Sequence, residues 1–178
     1  MRIIAGRSKG TRLAVPETGT RPMTGRARES VFSILRDRLF DAHVLDLYAG
    51  SGSLGLEALS RGATDAVFVE GDRTAVEKIH KNVVAVGLGG TVTHGTLPGV
   101  LSRLSGTFDL VFVDPPYSDP DADVLLTLAA LDRVLASSGL VVVHRQASSD
   151  IVLPEFLTCK DQRRYGDAVL TMMERATS

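Results

Sequence analysis

The sequence predicts an α/β fold, a doubly wound and mostly parallel sheet preceded by a basic hairpin and helix, and three observations predict it. From His43 onward, short apolar runs alternate with segments whose apolar residues recur at helical spacing, the pattern of strand–helix–strand units. The first run, Val44 to Tyr48, leads straight into Ala49-Gly50-Ser51-Gly52-Ser53-Leu54-Gly55 and a helix, a Gly-rich turn at a strand's carboxyl end. The fourth run, Leu110 to Val113, stops at Asp114-Pro115-Pro116-Tyr117. Open parallel sheets bind ligands beyond the carboxyl ends of their strands, so both motifs fall on the same rim.

Taken in order, Arg2 to Val15 reads as two short strands around a Gly-rich basic turn, a hairpin. Pro16 to Pro22 is a loop. Thr24 caps a helix with the stripe Ala27, Val31, Ile34, Leu35 and Leu39. After the first strand, a helix runs to Arg61 and closes at Gly62. Ala66 to Glu70 is the second strand. Gly71-Asp72 leads into a helix with Val76, Ile79, Val83 and Val86 on one face, ended by Gly87. Thr91 to His94 is the third strand and Leu97 to Leu104 a short helix. Asp121 to Ala136 is a helix with Val124, Leu125, Leu128, Leu131 and Leu135 inward, and Leu140 to Val143 is the fifth strand. Phe156 to Thr158 or Arg163 to Tyr165, and Val169 to Met173, are further strand candidates. With no repeat or low-complexity linker, residues 1–178 are expected to form a single domain, with 1–39 as its N-terminal extension.

At 178 residues, 44% of them hydrophobic, the chain can bury a substantial core. No run approaches the 18 or so apolar residues of a membrane span, no charged-then-apolar leader opens the chain, and Cys159 is the single cysteine. A cytoplasmic location is therefore expected. His43, His80, His94 and His144 show no ligand spacing, and no metal site is expected.

The net charge of −1 hides an asymmetry: residues 1–39 carry nine Lys or Arg against three Asp or Glu, and the remainder carries eleven against eighteen. A cationic arm on an acidic body directs a polyanion to the N-terminal face. Arg2, Arg7, Lys9, Arg12, Arg21, Arg26 and Arg28 are the candidate nucleic-acid contacts. Arg26 and Arg28 stand in a helical first turn, where cations oppose the dipole, which suggests an anionic ligand. A solvated surface is the bland alternative.

Gly50-Ser51-Gly52-Ser53-Leu54-Gly55 satisfies G-x-G-x-x-G, with Glu70 twenty residues beyond Gly50 at the end of the second strand. Small residues let a ligand approach the backbone, and a carboxylate at that strand tip can hold two ribose hydroxyls. The loop thus signals an adenosine-containing cofactor, a nicotinamide dinucleotide included. Asp46, four residues before the first glycine, is unwelcome beside a pyrophosphate but suits the cationic methionine end of S-adenosylmethionine. At the other motif, two prolines fix φ and remove two donors. They leave Asp114 and their own carbonyls as a stiff set of acceptors beside the Tyr117 ring. Acceptors next to a flat ring suit a planar group bearing an amine; the alternative is a turn that merely ends a core strand.

Asp114-Pro115-Pro116-Tyr117 resembles the Asp/Asn-Pro-Pro-Tyr/Phe motif of S-adenosylmethionine-dependent methyltransferases that modify exocyclic amines of bases. Four segments extend the likeness along nearly the whole chain: Arg2-Ile3-Ile4-Ala5-Gly6, Arg21-Pro22-Met23-Thr24-Gly25-Arg26-Ala27-Arg28-Glu29, Asp46 to Arg61 and Phe112 to Tyr117. Together they resemble the bacterial 16S ribosomal RNA guanine-N2 methyltransferases, of the class I, Rossmann-like fold. The resemblance implies seven strands with one antiparallel strand at the edge, S-adenosylmethionine as donor, and a guanine of 16S rRNA as acceptor, within the small ribosomal subunit or an assembly intermediate. It implies a monomer, and it assigns catalysis to Asp114, Pro115, Pro116 and Tyr117. The cofactor falls to Thr24, Asp46, Tyr48, Ala49, Gly50, Ser51, Gly52, Gly55, Glu70, Gly71, Asp72, Arg73, Gly95 and Thr96. Met23 and Gly25 stand where the family usually has Thr and Asp, and Thr96 where many methyltransferases carry an acid for the adenine amine.

Three other readings remain open on the residues alone. DNA adenine-N6 methylation uses the same turn, usually with Asn first. Cytosine C5 methylation needs a thiolate nucleophile, and Cys159 follows Thr158, not a proline. A non-catalytic RNA-binding assembly factor on the same fold is the third.

Overall fold

The computed structural model describes residues 1–16 and 23–176, and the predicted loop at 16–22, with Arg21, lies almost wholly outside them. Seven strands form one sheet: β1 (His43–Leu47), β2 (Asp65–Glu70), β3 (Thr91–His94), β4 (Phe108–Val113), β5 (Leu135–Gln146), β6 (Leu157–Tyr165) and β7 (Ala168–Arg175). Their order is β3-β2-β1-β4-β5-β7-β6. The first five run parallel, and β7 enters antiparallel on the far side of β5, followed by β6. The chain reverses its direction of travel across the sheet between β1 and β4, the switch point where α/β sheets open a crevice. Leu47 pairs with Val69 on one side and Val113 on the other, which brings the ends of β1, β2 and β4 to one level.

Helices α1 (Gly25–Ile34), α2 (Ser53–Ser60), α3 (Arg73–Val86) and α4 (Asp121–Ala130) cover the two faces. One core joins the hairpin, α1, α2 and α3 through Ile3, Leu13, Val31, Phe32, Leu56 and Ile79. The other gathers α4 and the 3₁₀ turns around Val111, Val113, Val124, Leu128 and Val141. With both faces covered, β4 is apolar at nearly every position, as a doubly buried strand must be.

The N-terminal hairpin is held by side chains more than by a ladder. Arg2 and Arg12 form a single antiparallel bridge. Fully buried Glu57 of α2 accepts the Ile4 and Ala5 amides at 2.7 and 3.0 Å and the Arg61 Nε–H at 2.7 Å. A Cβ on Gly6, at φ +83°, would lie 1.8 Å from the Ser60 carbonyl oxygen. That position accepts only glycine.

Several boundaries differ from expectation. The helix expected to reach Ala136 ends at Ala130, and a 3₁₀ turn over Leu131–Arg133 follows it. Leu135 pairs with Phe108 as the start of β5, a register shift sets in before Leu140 meets Leu110, and Gly139 lies within the strand. Leu135 is buried either way, so apolar spacing alone could not separate the two. The alternative strands at 156–158 and 163–165 belong to one strand, β6. Leu97 to Leu104 contains only a 3₁₀ segment, Gly99–Arg103. On α3 the fully buried residues are Ala75, Ile79, Asn82 and Val86; of the expected face, Val83 is partly buried against the same core and Val76 is half-buried, and Asn82 enters the interior because its amide is hydrogen-bonded there.

Candidate active site

A cleft opens at the carboxyl ends of β1, β2 and β4, lined among others by Asp46, Tyr48, Gly50, Ser51, Glu70, Asp72 and Asp114. Its floor is a loop whose backbone donors are met by carboxylates. Asp46, 1% exposed, accepts the Gly55 amide at 2.9 Å, and Glu70 accepts the amides of Gly50 at 2.8 Å and Asp72 at 2.9 Å. Asn82 donates to the Ser51 carbonyl at 2.8 Å and exchanges two hydrogen bonds with the backbone of Ala14. One buried amide thus ties the glycine loop to the end of the hairpin. Tyr48 enters the loop at φ +55°, an uncommon conformation for a bulky residue, and its hydroxyl lies 3.0 Å from that of Thr127.

The glycines divide their work. Gly50 faces open space, with only the Tyr48 carbonyl near a notional Cβ at 3.9 Å. Gly52, at φ +73°, and Gly55 press on Phe68; a Cβ on Gly55 would stand 2.5 Å from that ring. These two let α2 pack against β2, and Gly50 leaves room for a ligand.

Charge in the cleft is one-sided. Burial, and then the carboxylates of Asp114 and Glu70, hold the Asp46 carboxyl well above the usual carboxylate range, with the Gly55 amide opposing. Four carboxylates around a cavity, one of them desolvated, suit a cationic ligand that also bears hydroxyls. S-adenosylmethionine, with its sulfonium, ammonium and ribose diol, fits this donor set; a pyrophosphate does not.

A second hollow lies beside the cleft, lined by Thr24, Ala27, Tyr117, His144, Tyr165, Gly166, Asp167 and Ala168. Tyr165 is tied to α1 by a 2.6 Å contact between its hydroxyl and that of Ser30. Asp114 joins the two spaces: it lines the cleft, and its Oδ1 lies 2.7 Å from Nδ1 of His144, which lines the hollow. The Tyr117 ring stands 5.9 Å from that imidazole, tilted 44°.

Successive strand residues point to opposite faces, so Arg145 leaves β5 away from His144. It is 5% exposed and grips the loop after Asp114. Nη1 donates to the Pro116 carbonyl at 2.8 Å, and Nη2 to the Asp119 carbonyl at 2.9 Å and the Asp121 carboxylate at 2.7 Å. That carboxylate is held below its usual range, chiefly by the hydrogen bond from Arg145.

Of the predicted cofactor residues, Asp46, Tyr48, Ala49, Gly50, Ser51, Glu70 and Asp72 share the cleft. Gly71 adjoins Gly95 and Thr96, 3.7 and 3.9 Å from its notional Cβ, at the neighbouring rim; Arg73 opens α3. Thr24 caps α1 through the Ala27 amide at 3.2 Å and lines the hollow, not the cleft. Arg2, Arg7, Lys9, Arg12 and Arg26 are exposed. Arg28 is not: at 4% exposed, it donates to the Arg2 carbonyl at 2.7 Å, and burial lowers its pKa, with Glu57 opposing and Arg61 assisting. Its cation serves the interior between α1 and α2. Arg145 and Asn82 had no place in the sequence reading, and His144, noted there only for its lack of ligand spacing, is 4% exposed; the partners of all three lie 24 or more residues away, beyond any local signal.

A doubly wound sheet with this loop, this acidic cleft and an Asp-Pro-Pro-Tyr turn defines a class I methyltransferase. The profile of the family described as "Conserved hypothetical protein 95" matches residues 1–174. "Ribosomal RNA small subunit methyltransferase D" of Escherichia coli is 35% identical over 153 residues, 85% of this chain and 77% of that protein. "Putative rRNA methyltransferase YlbH" of Bacillus subtilis is 34% identical, over 98% of this chain and 92% of its own. A solved structure, "Putative methyltransferase yhhF from Escherichia coli", superposes with a TM-score of 0.88 at 32% identity, covering 100% of this chain and 99% of that one. The chain belongs to this family, that of ribosomal RNA small subunit methyltransferase D.

Proposed function

We propose that this protein transfers a methyl group from S-adenosylmethionine to the exocyclic N2 amine of a guanine in 16S rRNA, presented by the small ribosomal subunit or an assembly intermediate. The observation that carries the reading is the place of Asp114, on the wall between an acidic cofactor cleft and a hollow edged by Tyr117. When bound, the cofactor supplies an electrophilic methyl on a cationic sulfur. The residues of the chain do the rest. Asp46 and Glu70 hold the ligand's cationic and hydroxyl groups and exclude water from the loop. Asp114 accepts a hydrogen of the amine at one carboxylate oxygen, turns the amine's lone pair toward the cleft and takes the proton that the nitrogen gives up on methylation, and the Pro115 carbonyl accepts the second hydrogen. Tyr117 stacks on the base, which must leave its own stack to enter. Arg145 keeps the Pro116 to Asp121 loop from moving during this alignment, and alignment is what such a displacement chiefly needs. The exposed cations Arg2, Arg7, Lys9, Arg12 and Arg26 meet the RNA backbone.

The test is Asp114→Ala on small subunits lacking the modification. Turnover should drop by about 100-fold or more, the scale of a lost positioning and acid–base group, while cofactor affinity stays within a few-fold. Wild-type turnover in a variant that still binds cofactor would refute the assignment.

A further inference from the structure

The cleft and the hollow beside it lie at the carboxyl ends of the strands. The turns that lead into β1 and β2 meet at the other end, about 16 Å away, the length of a five-residue strand. There Phe40 stands 76% exposed. The chain has six Phe and three Tyr, and every other ring among them is buried or half-buried.

The exposed ring sits on a fixed turn. Leu39 and Ala42 on either side are buried, the Asp41 amide donates to the Gly62 carbonyl at 3.1 Å, and the Thr64 amide to the Ala42 carbonyl at 3.0 Å. The ring rests on Gly62, where a notional Cβ would lie 3.4 Å from its Cδ2, and it edges a wide hollow of about 760 Å³, roomy enough for a small ligand. The tip of the hairpin forms another wall. The Arg7 amide donates to the Ser60 carbonyl at 2.7 Å and its Nη2 to the Leu59 carbonyl at 3.2 Å, which seats an exposed cation at the carboxyl end of α2. Lys9 is exposed on the same tip. Arg61 also lines the hollow, with its Nε held by Glu57 at 2.7 Å. Among the described residues Asp41 is the only acid in the lining, and the remainder is glycine, alanine, serine and threonine.

A protein anchor is ringed by contacts that exclude water, and the surroundings of this ring are small or charged. Single-stranded nucleic acid asks for what is present: a flat ring on which a base stacks, and a cation for its phosphate. Resting on the rRNA reading above, we propose that Phe40 and Arg7 form a second RNA-binding site at the amino ends of the strands, where an unpaired base of the substrate stacks on the Phe40 ring and its phosphate meets Arg7. The site is too far from Asp114 to touch the reacting base, so it holds a flanking segment of the same RNA. Because the turn is already fixed, it loses little freedom on binding. Two grips a strand's length apart select an RNA folded to that spacing; a guanine in another fold engages only one of them.

The experiment compares wild type with Phe40→Ala, Phe40→Leu and Phe40→Trp. It measures KM and kcat on small subunits lacking the modification, affinity for an unstructured RNA of about 12 nucleotides, and sedimentation of the free protein, with S-adenosylhomocysteine affinity as the check on the fold. The Ala and Leu variants should raise KM and weaken oligonucleotide binding, each by about 5- to 100-fold, and the loss should fall on KM, not kcat. Trp should return both values to within about twofold of wild type. Either value staying at wild type in the Ala variant overturns the site, and a KM defect without an oligonucleotide defect assigns the ring to a protein of the subunit instead. A Leu variant that behaves as wild type, or a Trp variant that does not, overturns the stacking role. A wild-type dimer that Phe40→Ala dissolves assigns the face to a second copy and overturns the proposal as well. If wild type methylates no subunit, the reading above fails, and the oligonucleotide still decides whether Phe40 binds RNA.

Discussion

At the scale of single residues, Asp46 is a carboxylate buried in the cleft at the expense of the ligand-free fold. Its folded pKa is raised by burial, with Asp114 and Glu70 adding to the effect. The folded protein therefore holds a proton where the unfolded chain has lost it, and stability falls as pH rises from the ordinary carboxylate range through the raised value. Asp46→Asn removes that slope and keeps an oxygen to accept the Gly55 amide. The ligand-free variant should melt above wild type at pH 8, with the gap closing toward pH 4, while S-adenosylmethionine affinity falls at least about tenfold; thermal melts across pH and calorimetry measure both. The place of Asp46 in the cleft was legible in the sequence because it depends on spacing within one strand–loop unit. The contacts of His144, Arg145 and Asn82 were not, since each partner lies on a different element.

At the scale of elements, the loop after β4 owes its rigidity to more than two prolines. Arg145 supplies three hydrogen bonds to it, and removing the buried guanidinium leaves the Pro116 and Asp119 carbonyls without their donor. Arg145→Met should cost about 2 to 3 kcal/mol in denaturant unfolding and lower kcat about tenfold or more with little change in cofactor affinity. An unchanged kcat would mean the prolines suffice. Because Asp121 is held below its usual pKa by Arg145, the clamp stabilises the fold above the ordinary carboxylate range and loses that contribution as pH falls through the depressed value. The strands and their order of appearance were legible from apolar runs, but ends were not. Leu135 satisfies a helix stripe as well as a strand, and only its pairing with Phe108 decides.

At the scale of the whole molecule, the charge asymmetry visible in the sequence survives folding, with one amendment: Arg28 is spent inside. The exposed Arg2, Arg7, Lys9 and Arg12 lie on a hairpin packed against α2 and α3. Replacing Arg7 and Lys9 by Ala should raise KM for small subunits without altering kcat on saturating substrate. The log–log salt dependence of binding should lose about 0.7 per phosphate contact removed; an unchanged salt slope would place the RNA on another face. The sheet's parallel body was readable from its alternating pattern, whereas the route by which β7 enters between β5 and β6 was not, because nothing local specifies which edge a late strand joins. The most direct measurement is mass spectrometry of nucleosides from small ribosomal subunits, free 16S rRNA and DNA after incubation with the protein and labelled S-adenosylmethionine. Labelled N2-methylguanosine is expected from the ribosomal sample and none from DNA. Labelled methyladenine or methylcytosine in DNA, or no labelled nucleoside at all, would contradict the proposed function.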